Sequence, residues 1–114
     1  MMTKADLSAL LKGVGVPVAE GENAMDTAGA FPRIVYWETM WKDVIGSGTD
    51  YENIVTYQIS FLSNIPRDPK LLLLKQRLNA VGQHPEFLHE HVASTDSPQY
   101  FHSACTIDVI EALT

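Results

Sequence analysis

The chain predicts an α+β fold: a twisted, mainly antiparallel sheet of about four strands with two helices packed on it. Three observations carry that expectation. Val55, Tyr57, Ile59 and Phe61 alternate with Thr56, Gln58 and Ser60, the period-two pattern of a strand with one apolar and one polar face. Leucines recur at helical spacing in two other segments, 3–14 and 68–81. Two further alternating runs, 86–92 and 99–111, flank the turn residues Ser94-Thr95-Asp96-Ser97-Pro98. The order reads helix, strand, strand, helix, strand, strand, in one domain over residues 1–114.

In the first helix Thr3 is the expected N-cap, with Asp6 three residues on as a capping-box partner. Leu7, Leu10, Leu11 and Val14 form its apolar stripe, and Gly13, Gly15 and Pro17 end it. Residues 18–30 are rich in Gly and Ala and read as loop, with room for a brief strand at Val16–Ala19. Phe31 to Glu38 is β-branched and aromatic, hence a strand, with Pro32 at its start or on a free edge. Residues 39–50 read as loop around Gly46-Ser47-Gly48, and the long strand follows over 51–63. Asp68 then caps a helix that Pro69 opens and Gly82 ends, with Leu71, Leu74, Leu78 and Val81 on one face. In the last strand Phe101, Ser103, Cys105, Ile107 and Val109 share a face. These placements put Val55, Tyr57, Ile59 and Phe61 under the leucine helix. Thr56, Gln58 and Ser60 then face water or a neighbouring subunit.

Composition narrows the function. At 46% hydrophobic residues the chain has material for one core, and its longest apolar run, Leu71–Leu74, is far too short for a membrane span. No apolar segment of the signal-peptide kind follows Lys4. A formal net charge of −6 disfavours broad phosphate binding, although it suits a surface that DNA passes without sticking. The single Cys105 excludes an internal disulfide, and its apolar neighbours predict a buried thiol in a protein folded in a reducing compartment.

Few constellations could carry chemistry. His89, His91 and His102 could converge on one face of the closing hairpin and hold zinc in an open site, the basis of a small hairpin enzyme. A polar strand face is the preferred reading of them, and no activated nucleophile accompanies them. The carboxylates are scattered, and neither a phosphate loop nor a Gly-x-Ser-x-Gly elbow is present. No catalytic residue, metal ligand or cofactor is therefore assigned. Trp37, Met40 and Trp41 form a cluster that suits either a core or an interface. With Gln58 on the polar side of the long strand, they are the expected contact residues for a neighbouring subunit.

The ordered motifs resemble those of the tail-terminator and tail-completion proteins of long-tailed bacteriophages, the head–tail joining group often labelled minor capsid or neck proteins. The resemblance runs through Leu10-Leu11, Phe31-Pro32-Arg33-Ile34-Val35-Tyr36, Asp50-Tyr51 and Thr56-Tyr57-Gln58-Ile59-Ser60-Phe61-Leu62-Ser63. It continues through the leucine-rich helix 68–81 to Gln99–Ile107 in the closing hairpin. It implies a non-enzymatic virion protein, assembled in the bacterial cytoplasm, that forms a homo-oligomeric ring expected to have six subunits. The ring would cap the tail tube and meet the head–tail connector, with genome DNA passing through its lumen without sequence-specific binding and with no membrane involved. A head-side connector or stopper, or an intracellular adaptor domain, are the other readings the pattern leaves open.

Overall fold

The computed structural model describes residues 2–21, 31–43, 53–93 and 99–111. Residues 22–30 and 44–50 of the expected loops, the first two residues of the expected long strand, 51–52, and the expected turn, 94–98, lie outside them. The order is α1 (Lys4–Lys12), β1 (Val18–Glu20), β2 (Arg33–Asp43), β3 (Asn53–Ser63), α2 (Pro69–Ala80), β4 (Leu88–Val92) and β5 (Tyr100–Glu111). The class is α+β as expected, but the sheet has five strands, in the order β1-β2-β3-β5-β4. The added strand β1 pairs parallel to β2, with Val18 opposite Ile34 and Glu20 opposite Tyr36. Three residues between Pro17 and Gly21 are too few for alternation to show. Tertiary pairing makes them a strand: Ile34 N–H donates to Pro17 O and Gly21 N–H to Tyr36 O.

Local chemistry starts both helices where the sequence places them. Asp6 N–H donates to Thr3 Oγ1 at 3.2 Å, and Thr3 N–H to Asp6 Oδ2 at 3.0 Å, a complete capping box. Asp68 accepts from Lys70 N–H at 2.8 Å and from the Ser63 hydroxyl at 2.7 Å. One buried carboxylate thus opens α2 and ties it to the end of β3. Gly82 follows α2 at φ +79°, a conformation that costs glycine little. Val81, expected on the buried face, lies past the last turn and is exposed.

Both helices pack on one side of the sheet. Leu7, Leu10 and Leu11 of α1 and Leu71, Leu74 and Leu78 of α2 share one buried cluster with Val55, Tyr57, Ile59 and Phe61 of β3. Cys105, Ile107 and Val109 of β5 complete it. Arg77 Nε donates to Leu10 O, joining the helices to each other. Burial pushes the Cys105 thiol up to about 12, so it stays protonated and unreactive at neutral pH.

Strand β2 continues through Met40 and Trp41 to Asp43, where loop was expected. Its register against β3 shifts between Glu38 and Met40, a β-bulge. The extra residue breaks the alternation, which is why a continuous strand does not read as one.

Candidate functional site

The sheet face turned away from α1 and α2 collects most of the residues expected at an interface. Trp37 on β2 stands directly opposite Gln58 on β3, and Met40 opposite Thr56. The bulge sends Trp41 to the helix side, opposite Val55. The structure therefore brings Trp37, Met40 and Gln58 together and separates Trp41 from them. Met40 and Trp41 are 56% and 61% exposed, so neither is a core residue. Trp37 and Gln58 are half-buried.

The open face is polar in its middle and tightly bonded. Thr56 Oγ1 donates to Asp108 Oδ1 at 2.6 Å, and Thr39 Oγ1 to Thr56 O at 3.2 Å. Toward β4 a chain of hydrogen bonds crosses three strands. Gln58 Nε2 donates to Ser60 Oγ at 3.3 Å, Ser60 Oγ lies 2.8 Å from His102 Nε2, and His102 Nδ1 lies 2.9 Å from Glu90 Oε1. A carboxylate only accepts, so His102 Nδ1 carries the proton toward Glu90; in the neutral ring Nε2 then accepts from the Ser60 hydroxyl.

That connectivity is the one a serine hydrolase uses, but its setting differs. Ser60 is fully buried, and its hydroxyl is engaged by both His102 and Gln58. It sits on β3 between β2 and β5, where neighbouring backbone N–H groups belong to the ladders. Among the described residues it lacks both an open approach for substrate and free oxyanion donors. The chain of bonds instead ties edge strand β4 to the centre of the sheet. Ser60 was expected to face water; His102 covers it, a long-range contact that alternation cannot reveal.

The three histidines do not converge. His89 pairs with Ser103 and His91 with Phe101, whereas Glu90 pairs with His102. His102 therefore points to the open face, and His89 and His91 to the helix side. His89 Nδ1 lies 2.7 Å from Ser103 Oγ, and His91 stacks on Phe101 with ring centres 4.8 Å apart. The hairpin register, set one residue away from the zinc-compatible one, decides this. No group of three or more metal-ligating side chains is placed for a metal among the described residues.

Trp41 sits in an acidic setting. Its indole N–H donates to Glu38 Oε2 at 3.1 Å, and the hollow beside it is lined by Lys4, Glu20, Tyr57 and Glu111. Lys4 bonds Glu20 at 3.0 Å, which raises the lysine pKa. Burial, with Glu111 next, pushes the Tyr57 phenol up to about 12. Asp43, on the same side, accepts from Asn53 at 2.7 Å. Among the described residues no helix is long and apolar enough to cross a membrane. In comparisons with known proteins, no family matches the chain and no curated protein does.

Proposed function

We propose that this is a structural protein of a long-tailed bacteriophage virion, a tail-terminator or tail-completion protein that caps the tail tube as a ring and joins it to the head. The order of the sequence motifs, read together along one chain, carries the proposal. The architecture supports it in one respect: the helices occupy one side of the sheet, leaving Trp37, Met40 and Gln58 available to a partner in the assembly on the other. In this reading the subunits form a homo-oligomer, expected to be a hexamer, with the tail tube protein on one side and connector proteins on the other. The net charge of −6 suits a lumen through which DNA slides.

Native mass spectrometry and electron microscopy test this directly. Rings are expected in solution or at the ends of tail tubes from the same phage. A strict monomer that never binds tube ends sinks the proposal. Binding to capsid connectors in preference to tube ends would move the protein to the head side of the joint.

A further inference from the structure

Two surfaces that no described element covers lie at opposite ends of the molecule on the same side of the sheet. At one end stands Trp41, exposed, with Glu20, Glu38, Asp43 and Glu111 around it against the ammonium groups of Lys4 and of Lys42, its neighbour on β2. At the other is a groove of about 480 Å³ between α2 and β4. Leu72, Phe87 and Phe101 give it an apolar floor, while Arg67 and Lys75, against one carboxylate residue, Glu90, line it beside His89 and His91. Leu72 is 44% exposed there, and Ile65 close by is 46% exposed. Asn53 and Glu111 pair at the Trp41 end and Ser63 and Phe101 at the groove end, so β5 separates the two surfaces by about 33 Å at strand rise. One copy cannot close this contact on itself.

We infer that the Trp41 end of one copy seats in the α2–β4 groove of the next. The signs are complementary on balance: Glu20, Glu38, Asp43 and Glu111 outnumber Lys4 and Lys42 around the indole, whereas Arg67 and Lys75 outnumber Glu90 around the groove. The indole is already held by its bond to Glu38, so little side-chain freedom is lost on docking. Inside the groove it meets aromatic and imidazole faces, with the Arg67 guanidinium at the rim to stack on it. Two different patches that meet head to tail make a heterologous contact, which closes into a ring when the rotation per subunit allows. The inference rests on the ring proposed above and assigns its contact.

Complementation between variants tests it. Trp41→Ser removes the anchor and Leu72→Asp spoils the groove; both positions are exposed, so each variant is expected to stay folded by circular dichroism. In native mass spectrometry, with and without tail tubes, each variant alone is expected to lose the ring and run as a monomer. An equimolar mixture is expected to give a species of two chains, one of each variant, and nothing larger. Here the intact groove of one variant receives the intact Trp41 end of the other. Rings that survive both substitutions overturn the contact and leave the ring proposal standing. Monomers that stay monomeric on mixing overturn it too. A wild-type chain that forms no oligomer in solution or on tube ends overturns the ring and its contact together.

Discussion

On the helix side of β3, Val55, Tyr57, Ile59 and Phe61 are all buried against leucines of α1 and α2. On the other side, Thr56 and Gln58 stay half-buried, while Ser60 and Leu62 are buried beside His102 and Arg33. The same eight residues thus build two different kinds of surface. One is held by removal of apolar area from water, which is non-directional and large. The other is held by a few directed hydrogen bonds, each of modest net worth but costly to leave half-made. Stability should depend steeply on the first face and only locally on the second, which is where a partner can bind without disturbing the core.

Leu74→Ala is the strongest way to break this contrast. Leu74 is fully buried on the helix side, and the change is expected to cost about 2–5 kcal/mol. Thermal unfolding followed by circular dichroism should show a fall in Tm of roughly 10 °C or more. A fall of only a degree or two would mean that the helix face is not the stabilising one. His102→Ala probes the opposite face. It strips Ser60 and Glu90 of their shared partner and is expected to cost about 1–3 kcal/mol. Amide exchange should quicken in β4 and remain slow along β2 and β3; uniform quickening would assign His102 a global role.

Asp68→Ala comes next, at about 0.5–2 kcal/mol, because it uncaps α2 and leaves the buried Ser63 hydroxyl without its acceptor. Equilibrium urea unfolding measures it, and Asp68→Asn should recover part of the loss. A smaller effect separates the helices by pH. The Thr3 backbone N–H, and then its hydroxyl, hold the Asp6 carboxyl below the ordinary carboxylate value. A lowered pKa stabilises the fold above the unfolded value and loses that contribution as pH falls through the folded one. Exchange at the start of α1 should therefore rise on acidification below about pH 4, and Asp6→Ala should abolish that dependence. Trp41→Ala should change stability least, within about 0.5 kcal/mol, since the ring is exposed. At concentrations where the wild-type chain is monomeric, a large fall in Tm would mark it as a support of the fold rather than a contact for a partner.

Much of the helix face was legible in the sequence because each of its signals is local. Thr3 and Asp6, Asp68 and Pro69, and the leucine spacings act within one turn of chain, and the β3 alternation needs only neighbours. The open face and the ends were harder. The bulge at Glu38–Met40 hid the second half of β2 and moved Trp41 away from Trp37 and Met40. Only the register of β4 against β5 could tell whether His102 joins His89 and His91, and a shift of one residue separates the two outcomes.

The sequence by itself determined the α+β class, the starts of both helices, the buried side of β3 and the inert, buried Cys105. Tertiary structure alone decided that the brief strand allowed at Val16–Ala19 forms, as β1 at Val18–Glu20, that Ser60 is covered, and where each histidine and tryptophan points. The physical reason is range. Caps and periodicity act between residues a few positions apart, whereas strand pairing and its register are settled between residues tens of positions apart, by whichever alignment buries the apolar face and satisfies the backbone together.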